Sequence, residues 1–346
     1  MNLLQDIKSM SIEELSQFLQ ENGQKKFRAS QIYDWLHVKK VENFDEMSNL
    51  GKELITFLKE NCYIQVLKIK KKLTSEIDGT VKYLFEFLDG ELAESVFMKY
   101  EHGNSVCIST QVGCKMGCTF CASTKAGFIR NLLPSEILEQ IYKISKDSDE
   151  KISNVVLMGI GEPLDNFDNV IKFLKILSSE KGHNLGLRHV SLSTCGVVDK
   201  IYDLANMKLQ LTLSVSLHAP NDELRNKTMP INQKFKVKEL LDACKYYANH
   251  TSRRVSFEYA LIRGFNDTRE CADELAKKLH GIMCHLNLIP VNEIDETDFI
   301  QTEKQNVENF RDYMVKLGIN TTIRRTLGTD INAACGQLRR NAINEK

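Results

Sequence analysis

The chain of 346 residues contains 46 basic residues, 46 acidic residues and 10 cysteines, and its hydrophobic fraction is 42%. This composition is ordinary for a folded globular protein and excludes collagen-like and extensively disordered classes. The formal net charge of zero provides no global field that would attract a polyanion, so nucleic-acid binding would depend on local basic patches.

The first ten residues lack the charged start, apolar run and cleavage site of a secretory signal, and the chain has no run of 18 uncharged apolar residues. We therefore expect a cytoplasmic protein with no membrane association. Because the cytosol keeps thiols reduced, the cysteines indicate metal ligation or redox chemistry in preference to a disulfide framework.

The first part of the chain has the spacing of short helices. Ser11 begins a capped helix start, and Ile32, Trp35 and Leu36 recur at helical spacing. We predict a small helical domain over residues 1–60. Residues 61–99 then change to strand-like alternation after the turn signal Asp78-Gly79, which predicts a short β linker segment between two domains.

From residue 100 to residue 328, strand-like and helical segments alternate six times. The strand-like segments begin near Val106, Val155, Val190, Leu211, Val255 and Leu286, and the helical ones near Pro134, Asn166, Val197, Val237, Arg269 and Gln305. This pattern predicts an α/β fold with a partial, TIM-like (βα)6 barrel. Fewer than eight units would leave the barrel open on one side to a large substrate, with active-site residues at the carboxyl ends of the strands.

Three cysteines form the sharpest motif. Cys114, Cys118 and Cys121 stand in the loop after the first barrel strand, and no fourth cysteine lies close to them. A structural zinc site needs four protein ligands, whereas a 4Fe-4S cluster held by three cysteines leaves one iron open to another ligand. The spacing therefore favours a cluster, with zinc or plain reduced thiols as the alternatives.

A second motif, Met158-Gly-Ile-Gly-Glu-Pro163, follows the second barrel strand. Its glycines would let the backbone approach a ligand, and Glu162 would accept from an ammonium group. An ordinary strand-to-helix turn is the alternative interpretation.

These motifs resemble those of the radical S-adenosylmethionine (SAM) superfamily, and their flanks are similar to the RlmN/Cfr family of adenine methyltransferases. The resemblance extends from Phe27-Arg-Ala-Ser-Gln-Ile to the C-terminal cysteine motif. Its segments are Gln111-Val-Gly-Cys-Lys-Met-Gly-Cys-Thr-Phe-Cys-Ala-Ser-Thr, Gly159-Ile-Gly-Glu-Pro-Leu, Leu192-Ser-Thr-Cys-Gly-Val-Val, Ser216-Leu-His-Ala-Pro-Asn and Asp330-Ile-Asn-Ala-Ala-Cys-Gly-Gln-Leu. The flanks are more similar to the RlmN branch than to the Cfr branch.

The resemblance implies two cofactors, a 4Fe-4S cluster on the three cysteines and SAM on its open iron. It assigns the SAM contacts to residues at or just after the barrel strands, namely Gly161, Glu162, Ser193, Ser216, Leu217, His218 and Asn292. Taken alone, His218 has the alternative of an ordinary core histidine.

The resemblance also implies methylation at carbon 2 of an adenine. By this analogy Cys335 carries a methyl group as a thioether, a methylene radical derived from it adds to the ring, Glu94 removes the ring proton, and Cys107 attacks Cys335 to give a transient disulfide. The resemblance divides the chain into four segments. Residues 1–60 would be a helical RNA-binding accessory domain, residues 61–99 the β linker segment that carries Glu94, residues 100–328 the radical SAM core, and residues 329–346 the C-terminal loop that carries Cys335. From the residues alone, Cys107 would be a buried strand cysteine and Glu94 a solvated carboxylate.

The implied partners are 23S rRNA, tRNA beside the anticodon, and an electron donor such as flavodoxin or ferredoxin, with the chain acting as a monomer. Basic clusters offer local phosphate contacts, although a solvated face is the alternative interpretation. They comprise Lys25, Lys26 and Arg28, then Lys68 and Lys70–Lys72, and finally Arg324, Arg325, Arg339 and Arg340 around Cys335.

Two other functions remain open at this point. A Cfr-type enzyme would methylate carbon 8 of the same rRNA adenine. A non-catalytic iron-sulfur or zinc protein that binds RNA would use the three cysteines only to hold a loop, and it would leave Cys107, Glu94 and Cys335 without a role.

Overall fold

The computed structural model describes residues 4–101, 103–125, 127–292, 298–334 and 337. The N-terminal part is helical, as its sequence predicts. Its elements are β1 (Gln5–Asp6), α1 (Ile12–Glu21), α2 (Arg28–His37), α3 (Lys52–Asn61) and β2 (Cys62–Tyr63), and β1 pairs with β2 in parallel. The predicted start of α1 is a capping box, since the Ser11 hydroxyl accepts from the Glu14 amide and the Glu14 carboxylate accepts from the Ser11 amide.

The segment predicted as a β linker is part of the main sheet. Its three antiparallel strands are β3 (Lys68–Thr74), β4 (Val81–Glu86) and β5 (Leu92–Met98), and β5 pairs with the first barrel strand, β6 (Asn104–Cys107). The interpretation as a connection between two separate domains is therefore corrected. Alternation in the sequence indicates strands correctly, but it does not say which neighbour they pair with.

The rest of the chain forms the predicted partial barrel. Its further elements are β7 (Gln111–Gly113), β8 (Phe128–Asn131), α4 (Pro134–Ser148), β9 (Ile152–Leu157), α5 (Phe167–Leu177), β10 (Val190–Thr194), α6 (Val198–Asn206), β11 (Thr212–Ser216), α7 (Asp222–Thr228), α8 (Val237–Thr251), β12 (Val255–Leu261), α9 (Arg269–Leu279), β13 (Cys284–Pro290), α10 (Lys304–Lys316) and β14 (Thr321–Ile323). Among the described residues, one sheet runs in the order β14-β13-β12-β11-β10-β9-β6-β5-β4-β3.

The strands from β6 to β14 in this sheet are parallel. The six predicted barrel strands and their helices are confirmed, and β14 is a further parallel strand that the sequence analysis missed. In the described part of the chain, β14 and β3 are the two edge strands of this sheet and do not pair with each other. The barrel is thus open, as predicted.

Alternation along the barrel strands separates a dry face from a polar one. Leu192, Leu213 and Phe257 are fully buried in the main hydrophobic core. Ser193 and Ser214, which are paired partners on β10 and β11, instead line cavities inside the barrel. Successive strand residues point to opposite faces, so the sequence of each strand determines both the core and the lumen. In the described part of the chain, no helix is long and apolar enough to cross a membrane.

A buried ion pair joins the N-terminal part to the barrel. Lys8 is fully buried and pairs with Glu139 on α4, and its ammonium also donates to the carbonyl of Gln65 at 3.1 Å. Removing one partner of such a pair leaves an uncompensated charge in a nonpolar environment. The contact therefore fixes how this part of the chain sits on the barrel.

We expect Lys8→Met to lower the free energy of unfolding by about 3–5 kcal/mol, because Glu139 would stay buried without its partner. Lys172→Met is the matched control. Lys172 also pairs with Glu14 of the N-terminal part, but the two side chains are 35% and 50% exposed, so its loss should cost at most about 1 kcal/mol. Urea denaturation would measure both. Equal losses in the two variants would contradict this account of the interface.

Candidate active site

A cavity opens at the carboxyl ends of the barrel strands. We call it the main cavity. Three predicted ligands and six predicted cofactor contacts line it, namely Cys114, Cys118, Cys121, Gly161, Glu162, Ser193, Ser216, His218 and Asn292. Leu217 does not line it, because its side chain is fully buried in the hydrophobic core. Alternation explains the difference, since Ser216 and His218 on either side of Leu217 face the lumen.

The cysteine loop is anchored at both ends. It runs from β7 to β8, whose close pairing requires glycine at position 113, where φ is +74° and an added Cβ would lie 1.7 Å from the Gly127 carbonyl oxygen. Within the loop the Thr119 amide donates to the Thr228 carbonyl at 3.0 Å, and the Thr124 hydroxyl donates to the Cys121 carbonyl at 3.0 Å. These contacts hold the loop against the end of α7.

Two of the three loop cysteines have raised pKa values, which favours their protonated thiol form when no metal is bound. Burial raises the pKa of Cys114 to about 12, and burial together with the neighbouring thiols raises the pKa of Cys118 above its usual range. Metal ligation would displace these protons. In the described ranges, no three His, Cys, Asp or Glu side chains converge to hold a single metal ion. The fit to a four-iron cluster rests on three thiols that line one end of the same cavity.

The second motif forms a rigid loop beside the cysteines. Gly161 has φ +108°, and an added Cβ would lie 2.6 Å from the Gln111 side chain, so only glycine fits there. The Glu162 carboxylate is buried and accepts from the amides of Cys195 at 2.7 Å and Leu164 at 3.0 Å. Burial raises the pKa of Glu162 despite these hydrogen bonds. The loop thus presents a fixed carboxylate at the cavity.

Cys195 is a fourth cysteine on the cavity wall. Burial and the nearby Glu162 raise the pKa of its thiol well above the usual value, and the thiol is hydrogen-bonded to Glu162. Sequence reasoning missed this residue because it lies some 74 positions after Cys121. Its contact with the carboxylate gives it a role in fixing Glu162.

Arg225, on α7, ties the strand ends together. Its side chain is fully buried, and it donates to the carbonyls of Cys195 at 2.6 Å, Ser216 at 3.0 Å and Leu217 at 3.1 Å. Because these carbonyls follow β10 and end β11, one guanidinium sets the spacing of two lumen walls. No sequence motif indicates this role, which depends on contacts between separate elements.

His218 is a neutral histidine of known tautomer. Its Nδ1 accepts from the Ala260 amide at 2.9 Å, so the ring proton resides on Nε2. Burial, followed by the charges of Arg225 and Arg324, lowers its pKa to about 3. The Phe120 ring lies edge-on to it, with 4.8 Å between the ring centroids. This histidine therefore presents an N–H donor in a largely apolar corner of the cavity.

A second cavity, which we call the thiol cavity, adjoins the main one. Cys107, at the end of β6, lines it together with Ala333 and Ala334. Cys107 and Ala333 also pack in one small apolar cluster. Cys335, the predicted methyl carrier, lies outside the described residues, as do Arg339 and Arg340. The two residues directly before Cys335 nevertheless contact the region of Cys107.

The C-terminal segment is held by the turn between β3 and β4. Asp330 accepts from the Ser75 hydroxyl at 2.7 Å and from the Glu76 amide at 3.0 Å. The Gly328 amide in turn donates to the Asp78 carboxylate at 2.9 Å. These hydrogen bonds explain why the segment reaches the thiol cavity.

Glu94 lies close to the same segment. It is 3% exposed, and its carboxylate is 3.3 Å from the ammonium of Lys82, which also donates to the Asn332 carbonyl at 3.2 Å. The expectation of a solvated carboxylate is therefore wrong. Sequence reasoning could not find Lys82, because an alternating strand gives no sign of which lysine points inward.

The basic clusters are partly neutralised. Lys70 pairs with Glu86 at 3.0 Å and Lys72 with Asp147 at 2.6 Å, as solvated charges commonly do. Arg324 and Arg325 instead line the thiol cavity. The cluster near the C-terminal segment thus lies at a cavity, whereas the one on β3 is engaged in surface ion pairs.

An open parallel barrel with three cysteines after its first strand defines the class of the protein, which is that of radical SAM enzymes. Residues 108–279 match the model of the Radical SAM superfamily. Residues 2–64 match the model described as the ribosomal RNA large subunit methyltransferase N-terminal domain.

Full-length relatives identify the family. A probable dual-specificity RNA methyltransferase RlmN of Clostridium novyi (strain NT) is 55% identical over 340 residues, which cover 98% of this chain and 99% of that one. The protein of the same description from Lachnospira eligens is 53% identical over 334 residues, covering 96% and 95%. The crystal structure of a radical SAM methyltransferase from Sphaerobacter thermophilus matches with a TM-score of 0.92 at 37% identity, covering 97% of this chain and 99% of that one. The chain belongs to the RlmN family of radical SAM RNA methyltransferases.

The buried histidines predict how stability depends on pH. Burial also lowers the pKa of His37 to about 3, so His37 and His218 stay neutral in the fold while an unfolded histidine takes up a proton near pH 6.5. Because the unfolded state binds more protons, the free energy of unfolding should fall as pH drops below 6.5, by about 1.4 kcal/mol per pH unit for each histidine. Urea titrations at pH 7, 6 and 5 would measure this slope. Histidine resonances of the folded protein that titrate near pH 6.5 at these two positions would contradict it.

Proposed function

We propose that the protein methylates carbon 2 of an adenosine in the peptidyl-transferase region of 23S rRNA and in tRNA beside the anticodon. The observation that supports this most is that Cys107, Glu94 and the residues leading to Cys335 gather beside one cavity, next to the cavity that the cysteine loop lines. Glu94 and Ala334, which directly precedes Cys335, are 240 positions apart in the sequence. A protein that bound RNA without turnover would not require them to meet.

The cofactors that fit the main cavity are a 4Fe-4S cluster and SAM. Cys114, Cys118 and Cys121 would hold the cluster, and a bound cluster with SAM supplies a carbon-centred radical that abstracts hydrogen. Around them the chain contributes a fixed carboxylate at Glu162 and a neutral N–H donor at His218. The remaining proposed SAM contacts are the hydroxyls of Ser193 and Ser216, the side chain of Asn292, and the backbone near Gly161 and Leu217.

Residues at and near the thiol cavity would carry out the remaining steps, which are methyl transfer, loss of the ring proton and cleavage of the thioether. Cys335 would take the methyl group as a thioether, and its methylene carbon would become joined to carbon 2 of the adenine. The buried Glu94 carboxylate would accept the proton from carbon 2, while Lys82 holds both Glu94 and the backbone of Asn332. The adduct would also have to give up one electron, for which an oxidised iron–sulfur cluster would be the acceptor. The Cys107 thiolate would then bond to the Cys335 sulfur as the carbon–sulfur bond breaks, and the carbon would keep that electron pair and take up a proton to become the methyl group.

The remaining parts of the proposal concern partners. RNA contacts fall to the N-terminal domain and to arginines beside the thiol cavity, and a flavodoxin or ferredoxin would supply electrons and reduce the disulfide. We place the protein in the cytoplasm as a monomer. A Cfr-type enzyme acting at carbon 8 is the alternative product assignment.

The identity of the methylated nucleoside tests the proposal. We expect the anaerobically reconstituted enzyme, given SAM, a reductant and a 23S rRNA fragment or tRNA, to form 2-methyladenosine, which mass spectrometry against standards distinguishes from the 8-methyl isomer. The 8-methyl product would assign the protein to the alternative. Cleavage of SAM without any methylated RNA would leave the radical chemistry standing and remove the substrate assignment.

The two thiols have different expected phenotypes. Cys335→Ala should abolish methyl transfer while the iron content and cluster absorbance stay unchanged, because the carrier sulfur is lost. Cys107→Ala should instead accumulate a covalent protein–RNA adduct, visible as a shifted band on a denaturing gel, because the thioether is not cleaved. Cys271→Ala is the control, since Cys271 lies on α9 and lines neither cavity. Normal product from Cys335→Ala would refute the carrier role.

A further inference from the structure

The two cavities share a wall. Four residues line both the main cavity and the thiol cavity, namely Met158, Ile289, Asn292 and Arg324. Under the proposed function, the adenine must be reached by a group activated in the main cavity and by thiols in the second one. The ring must therefore lie against this shared wall, and the residues on it are the ones in position to contact the base.

Arg324 supplies the positive charge of this wall. It directly follows β14, and its amide donates to the Leu288 carbonyl at 2.8 Å, which fixes its backbone. One guanidinium nitrogen lies 3.6 Å from the Glu258 carboxylate, and the other donates to the Met158 sulfur at 3.0 Å. The side chain is only 26% exposed. The guanidinium is thus held at the boundary of the cavities instead of extending into solvent.

Glu258 makes this placement rigid. Its carboxylate is buried, with a side-chain exposure of 5%, and it accepts from the side-chain amide of Asn287 at 2.7 Å and from the Ser256 hydroxyl at 3.1 Å. An arginine paired to such an anchored carboxylate has a defined position, and its guanidinium stays charged at all working pH values. The arrangement gives a preorganised cationic donor at the proposed base position.

We propose that Arg324 donates a hydrogen bond to a ring nitrogen beside carbon 2 of the adenine, an inference that rests on the proposed function. Carbon 2 lies between N1 and N3, and both nitrogens are acceptors when the base is unpaired. A guanidinium at one of them withdraws electron density from carbon 2. The contact makes Arg324 a catalytic residue and gives the site a means of selecting the carbon that is modified.

The chemistry of the addition step explains the need for this charge. A carbon radical next to sulfur is electron-rich, and an adenine ring is a poor acceptor for it until a ring nitrogen is polarised. The new carbon–carbon bond uses the unpaired electron and one electron of the ring π system, and the other π electron stays on the ring. The guanidinium stabilises that electron at the nitrogen and transfers no proton. The ring becomes aromatic again when it loses the carbon 2 proton to Glu94 and this one electron to an oxidised iron–sulfur cluster, the one-electron acceptor of the proposed function.

The test pairs variants of Arg324 with altered RNA. The holoenzyme and its Arg324→Met and Arg324→Lys variants are assayed on a 23S rRNA hairpin that carries adenine, 1-deazaadenine or 3-deazaadenine at the target position. Single-turnover rates of methylation, the ratio of methylated base to deoxyadenosine, and hairpin affinity by fluorescence anisotropy are measured. Arg263→Met is the control, because Arg263 pairs with Glu303 at the surface.

We expect Arg324→Met to slow methylation of the natural adenine by about 10²-fold or more, as removal of one preorganised donor does, and to lower the ratio of methylated base to deoxyadenosine. Arg324→Lys should recover part of the rate. With one of the two deaza bases the wild type should slow comparably, and Arg324→Met should then add less than about 3-fold, because the contact is already absent.

The proposal would be overturned if Arg324→Met slowed methylation of both deaza bases by the same factor as it slows methylation of adenine. Neither ring nitrogen would then be the partner of Arg324. A loss confined to hairpin affinity, with an unchanged single-turnover rate, would also overturn it and would assign the guanidinium to a phosphate. Failure of the proposed function is separately visible, as absence of 2-methyladenosine from the wild-type enzyme with the natural hairpin.

Discussion

The alternation of side chains along parallel strands is the constraint on which the rest of this structure depends. On β10 an apolar residue points outward to the helices and the next, polar residue points into the lumen, as Leu192 and Ser193 show. The hydrophobic core and the cavity wall are consequently built from alternate residues on the two faces of the same strands. Displacing a strand by one residue would turn serine hydroxyls into the core and leucines into the cavity.

Buried polar groups then fix the positions of the loops at the carboxyl ends of these strands. The Arg225 guanidinium joins the ends of two strands, and the Glu162 carboxylate joins the Gly161 loop to the next one. Each group is satisfied by backbone donors or acceptors, which is the condition under which a charge is tolerated in a protein interior. The cavity therefore exists with its walls in place, and a ligand would not have to order them.

Much of this organisation could be predicted from the sequence. The six barrel strands have strong local patterns, and the spacing of Cys114, Cys118 and Cys121 is a local signal, so both were found without the structure. The features that were missed depend on contacts between distant segments. β14 has three residues and too little pattern to recognise, the burial of Glu94 follows from its pairing with Lys82, and the placement of β3 to β5 in the barrel sheet follows from pairing that sequence alternation does not specify.

The Lys8–Glu139 pair has a consequence for how the protein would select a position on a large RNA. The buried pair, together with the hydrogen bond from Lys8 to the Gln65 carbonyl, fixes the position of the helical N-terminal part against α4 of the barrel. Under the proposed function, an RNA bound by the N-terminal part would then reach the cavities at a distance that the fold of the protein sets. The choice of adenosine would depend on its distance from the segment of RNA that the N-terminal part binds, as well as on its neighbouring bases.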